Sequence, residues 1–163
     1  MADILPSEAV KARILSIRPA PAGTPIESAN VEWIEIRVEL DSDLANWRVL
    51  HLRALWREDV TRPVDTDVVF SFGSPHFARA GEVYRIHSGS LIRAATHPVA
   101  DDLAPGRKHV YAAGPLSGAR LRLGKGDYVR LVEAFGAVID EVVVWPAEVT
   151  KDEAPPREAR AAG

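Results

Sequence analysis

Five histidines, two closely spaced acid pairs and one serine among glycines are the side chains here that could carry out chemistry. Imidazole binds zinc and copper well. Yet His51, His76, His87, His97 and His109 include no pair at i,i+2 on a clear strand face or i,i+4 on a helix, and no HExxH, and the chain has no cysteine to complete a thiolate site. Structural or surface roles are expected for them. Asp41 with Asp43 and Asp65 with Asp67 could face a hard cation, but neither pair has the glycine or distal glutamate of an EF-hand loop. Side chains bonding nearby turn amides explain them more simply. Ser117 in Gly114-Pro115-Leu116-Ser117-Gly118 misses the GxSxG elbow by one position. Gly124-Lys125-Gly126 precedes nothing that reads as a helix whose amides could take a phosphate. The chain is therefore expected to have no catalytic residue, metal or cofactor and to be no enzyme, with a metal-dependent hydrolase as the minor alternative.

Charge says more. Arg107, Lys108, Arg120, Arg122, Lys125 and Arg130 stand against Asp127 alone, so residues 107–130 carry +5 while the rest of the 163-residue chain sums to −8. Residues 31–43 go the other way, at −4. If the six cations share a surface, they would bind a nucleic-acid backbone weakly and without reading sequence. Acidic and basic faces pairing between copies, or two ordinary solvated faces, are the other readings.

The elements that would position these groups repeat every second residue. In Ile34-Glu35-Ile36-Arg37-Val38-Glu39-Leu40, apolar and charged residues alternate, the pattern of a strand with one buried and one wet face. Val68, Phe70 and Phe72 follow the same rule, as do Trp47 with Val49, Tyr84 with Ile86, Leu121 with Leu123, and Val129 with Leu131. Residues 137–145 are too β-branched to prefer helix and stop at Pro146, so they form the last strand. Gly124 to Asp127 and Glu133 to Gly136 read as hairpin turns. No amphipathic helix of ten or more residues stands out. The pattern predicts an all-β, antiparallel sandwich or barrel.

Because Ile34 and Ile36 claim the buried face, Trp33 is expected to point outward with Glu35 and Arg37. An outward tryptophan flanked by charge has the composition of an interaction hot spot. Trp56 is expected to cap the domain from the long connection between Ala54 and Thr66. These four residues are the candidates for protein contact.

Length and composition suit one globular domain: 47% of residues are hydrophobic and 26% charged. A flexible N-terminus at 1–9, an ordered domain at 10–147 and a disordered, Pro-containing tail at 148–163 are expected. A signal peptide and a spanning segment are both missing from the sequence, so a cytoplasmic location without membrane insertion is expected.

The ordered segments together resemble the lamin tail domain, an immunoglobulin-like β-sandwich family. Val31 to Ile36 is similar to its early strand and Leu44 to Val49 to its turn ending in a tryptophan. Asp67 to Phe72 followed by Phe77 to Ile86 is similar to its strand, glycine turn and next strand. Gly126 to Leu131 with Gly136 to Val142 resembles its closing hairpin. The likeness spans roughly residues 12–145; the connections at 54–66 and 88–119 are long for it. It implies an interaction module for protein and nucleic-acid partners without shared catalytic machinery; the chain is expected to be a non-catalytic module that binds a protein partner or a second copy of itself, with no small-molecule substrate.

Overall fold

A computed structural model describes residues 9–52, 67–73, 75–113 and 122–144. The alternating run becomes β2 (Trp33–Val38), which pairs with β1 (Ala12–Arg18) on one side and β7 (Val83–His87) on the other. With β8 (Lys108–Tyr111) these make a four-stranded sheet in the order β1-β2-β7-β8. A second four-stranded sheet runs β10 (Val138–Val143), β9 (Tyr128–Val132), β4 (Arg48–Leu52), β5 (Asp67–Ser71). β3 (Ser42–Asp43) and β6 (Phe77–Ala78) form a short separate ladder. The structure is all-β in character; among the described residues it also has 3-10 helices at Ile26–Val31 and Ala100–Leu103 and one α-helix, α1, at Leu91–Thr96.

One core joins the two large sheets. Ile34, Ile36, Tyr84 and Ile86 come from the first, and Val49, Val129, Leu131 and Val142 from the second. Trp47 is buried among them. Burying each such side chain stabilises the fold by roughly 1.5–3 kcal/mol. On one flank the sheets are tied where the ladders of β1 and β10 are both irregular: the Ile14 N–H donates to Asp140 Oδ2 at 2.7 Å. On the other flank β5 and β8 are the terminal strands of their sheets among the described residues.

Three expectations need correction. The sheet is not wholly antiparallel, because β7 and β8 run parallel. Parallel neighbours cannot be joined by a tight turn and need a crossover, and residues 88–107 supply it. Ser90 starts α1, its Oγ accepting the Arg93 N–H at 3.1 Å, and the second 3-10 helix leads to β8. The stretch from residue 88, expected as a long loop, is thus a built crossover and a strand as far as its described residues extend. In β5, Val69 rather than Val68 is buried, and a register shift against β4 between Val49 and Leu50 accompanies the change of face.

Gly136 closes the β9–β10 hairpin with φ 93°, and Gly126 has φ 82° in the turn before β9, the left-handed conformations that favour glycine. Leu123 nevertheless lies outside any strand. Leu121, residues 1–8 and the tail at 148–163 lie outside the described residues, as do Ser117 and Asp65. Among the described residues, no helix is long and apolar enough to cross a membrane.

Candidate functional site

Strand alternation places Trp33 and Glu35 on the face of the first sheet opposite Ile34 and Ile36. Register sets them beside Arg18 and Ser16 of β1 and beside His87 and Arg85 of β7. His109 and Tyr111 of β8 continue the row next to Arg85 and His87. The outward orientation of Trp33 therefore holds, but its exposure does not: the second 3-10 helix lies over this face, and Trp33 is 1% exposed and Glu35 5%.

The covered face is a hydrogen-bonded charge network. Trp33 Nε1 and Arg18 Nη1 both donate to Asp101 Oδ2 at 2.7 Å. The Arg85 guanidinium lies 3.8 Å from the centre of the Trp33 ring. Its Nε donates to Glu35 Oε2 at 2.7 Å and its Nη1 to the Asp101 carbonyl at 3.0 Å. Arg107 Nε forms an ion pair with the same Glu35 oxygen. The buried Arg85–Glu35 pair at its centre fixes an arrangement, and removing one partner of such a pair alone costs roughly 3–5 kcal/mol. Trp33, Glu35 and Arg107, expected in two different surfaces, are parts of this one internal assembly.

The other candidates disperse. Arg37 is partly exposed and donates to Glu39 at 2.8 Å. Lys108 Nζ lies 3.3 Å from Glu82, and Arg130 pairs with Glu141. Arg130 sits between buried Val129 and Leu131, so it projects from the outer face of the second sheet, whereas Arg107 reaches the outer face of the first. Arg107 and Arg130 therefore do not share a surface. Arg122 has φ 49°, held there as its N–H and that of Leu123 donate to the buried Glu32 carboxylate at 2.7 and 2.9 Å. Lys125 is exposed in the turn before β9. Trp56 and Arg120 lie outside the described residues.

Asp43 Oδ1 accepts the N–H of Ala45 at 2.9 Å and of His76 at 3.1 Å, bonds that hold its carboxyl below the usual range. Asp41 Oδ1 accepts from Ala80 N–H at 2.8 Å. Both act as turn residues. Among the histidines, buried His51 bonds Asp127 Oδ2 at 2.7 Å, and His76 Nε2 bonds the Tyr84 hydroxyl at 3.1 Å. His87 Nε2 lies 2.7 Å from His109 Nδ1. Among the described residues, no three metal-binding side chains converge.

A cleft of about 470 Å³ opens beside β5 and β8, the terminal strands of their sheets among the described residues. Phe70, Phe72, Val110 and Tyr111 line it, together with Leu91 and Ile92 of α1. Leu91 is 67% exposed and Ile92 48%, so α1 carries apolar side chains to solvent rather than to the core. Sequence reasoning passed over Leu91 and Ile92 because a helix of six residues shows no readable period. It passed over Arg85, Asp101 and Asp102 because nothing local marks what a crossover will cover. Arg85 did carry one signal: it alternates with Tyr84 and Ile86. No protein-family model and no curated protein matches the chain.

Proposed function

We propose that this chain is a non-catalytic binding module, an immunoglobulin-like sandwich of the lamin-tail type, that takes an extended apolar segment of a protein partner into the cleft between β5 and β8. Two four-stranded sheets around one core support the sandwich part of the reading, and the ordered motifs from Val31 to Val142 support the family. The observation that carries the function is the cleft itself. Its volume is that of a ligand site, apolar side chains line it, and both flanking strands end their sheets among the described residues. The edge of β8 suits backbone hydrogen bonding to an incoming extended segment, while a pocket beside it selects side chains.

The alternative, weak nucleic-acid binding by Arg107, Lys108, Arg120, Arg122, Lys125 and Arg130, has less support. Arg107, Lys108 and Arg130 each face a carboxylate, which offsets the charge a phosphate would meet.

A library of random dodecapeptides panned on the full chain tests the proposal. The expected result is an apolar consensus selected by the wild-type chain and lost with Ile92→Asp. Failure to select any peptide, or selection unaffected by the substitution, overturns it. A second copy is one source of such a segment, and sedimentation across the micromolar range identifies that case.

A further inference from the structure

The two outer nitrogens of the His87–His109 pair both meet carbonyl oxygens. His87 Nδ1 lies 2.9 Å from the Asn30 carbonyl, and His109 Nε2 lies 2.8 Å from the Ala104 carbonyl. A carbonyl only accepts, so each of these nitrogens must carry a hydrogen. A neutral imidazole has one N–H, which leaves the inner nitrogens, His87 Nε2 and His109 Nδ1, as bare lone pairs 2.7 Å apart. Two lone pairs at that distance repel; one proton between them makes a hydrogen bond of ordinary length. The ring planes are within 20° of each other and the centroids 5.0 Å apart, as an in-plane nitrogen-to-nitrogen bond requires.

We infer that His87 and His109 hold a single shared proton, and that this proton clasps the crossover onto the first sheet. The chain of bonds runs from the Asn30 carbonyl in the first 3-10 helix, through His87 of β7 and His109 of β8, to Ala104 at the end of the second 3-10 helix. The charged and titratable neighbours fit one positive charge. Asp102 Oδ1, buried, lies 3.7 Å from His87 Nδ1 and accepts the Tyr111 hydroxyl at 3.3 Å. Arg85 of β7 is occupied by Glu35 of β2. Tyr111 stacks on His87 and burial beside Asp102 raises its pKa to about 12, so it stays neutral. Burial pushes His87 down to about 4, a cost that the Asn30 carbonyl and the Asp102 carboxylate partly offset.

Loss of the shared proton forces one ring to release its carbonyl. The segment carrying Asp101, Asp102 and Arg107 then loosens, and Tyr111, which lines the cleft, loses its fixed neighbour. The clasp is thus a pH-sensitive device adjoining the proposed binding cleft, yet its derivation does not depend on that cleft being a binding site.

Nitrogen NMR of the wild-type, 15N-labelled full chain near pH 6.5 tests it. The expected pattern is protons on His87 Nδ1 and His109 Nε2 and one more, slowly exchanging, proton coupled to an inner nitrogen. A bare outer nitrogen, or two bare inner ones, overturns the inference. On raising the pH, amide protection factors in residues 100–107, taken relative to the intrinsic base-catalysed rate, should fall as the bridging proton disappears; unchanged protection factors overturn the clasp. His109→Gln should remove that alkaline response, and its persistence would count against the proposal. If this variant fails to fold, the wild-type spectra still decide.

Discussion

The Arg85 guanidinium rests 3.8 Å from the centre of the Trp33 ring, and the indole N–H beyond it is bonded to Asp101. A tryptophan held in this way is part of the fold's interior. Trp33→Ala should lower stability by about 3–5 kcal/mol, the usual result of truncating a buried aromatic, as measured by chemical denaturation. A loss below about 1 kcal/mol would show the ring to be a surface feature.

Glu32 is a second internal anchor. Its carboxylate accepts two successive amides at Arg122 and Leu123, and it is 2% exposed. Glu32→Ala leaves those donors without a partner, so a loss of about 1–3 kcal/mol is expected. Faster amide exchange at Leu123 than at Val129 should accompany it.

Acid stability follows from His87. Its folded pKa, pushed down by burial to about 4, lies below the ordinary value of about 6.5. Between these values the unfolded chain binds a proton that the buried His87 ring disfavours, so the His87 contribution to stability declines as pH drops through this window. The His87 contribution to that loss is about 3 kcal/mol. Denaturation midpoints from pH 7 to pH 4 measure it; a decline equally steep in a folded His87→Gln chain would assign it to other groups.

Ile92, 48% exposed, behaves differently from Trp33. Ile92→Asp should shift stability by less than about 0.5 kcal/mol, so any effect on peptide binding reads the surface and not the fold. A cooperative unfolding transition shifted by several degrees would contradict this.

Nucleic-acid binding should be absent. With Arg107 held by Glu35 and Arg130 by Glu141, a gel-shift experiment at low salt should show no retarded complex with either DNA or RNA. A complex lost on Lys108→Ala and Lys125→Ala together would revive the basic-patch reading.

Much of the fold was legible in the sequence. Ile34, Ile36 and Val38 fix the face of β2 because a pleat has a period of two, and Gly136 marks its turn through positive φ. Alternation assigns a face, however, and not what lies over that face. Trp33 and Glu35 were correctly assigned to the face opposite Ile34, but whether water or protein covers that face depended on Asp101, nearly seventy residues away. The parallel β7–β8 pair was hidden for a related reason. A crossover whose helix spans only Leu91–Thr96 carries too little periodicity to separate it from a loop. The histidine pair was invisible because His87 and His109 meet through strand register rather than sequence spacing.

Chemical-shift mapping of the full chain with a selected apolar dodecapeptide tests the proposed role most directly. The account predicts perturbations concentrated at Phe70, Phe72, Leu91, Ile92 and Val110, with the β9–β10 hairpin tip at Phe135 unmoved. Perturbations centred on that tip or on Arg130, with the residues of the cleft silent, would contradict it.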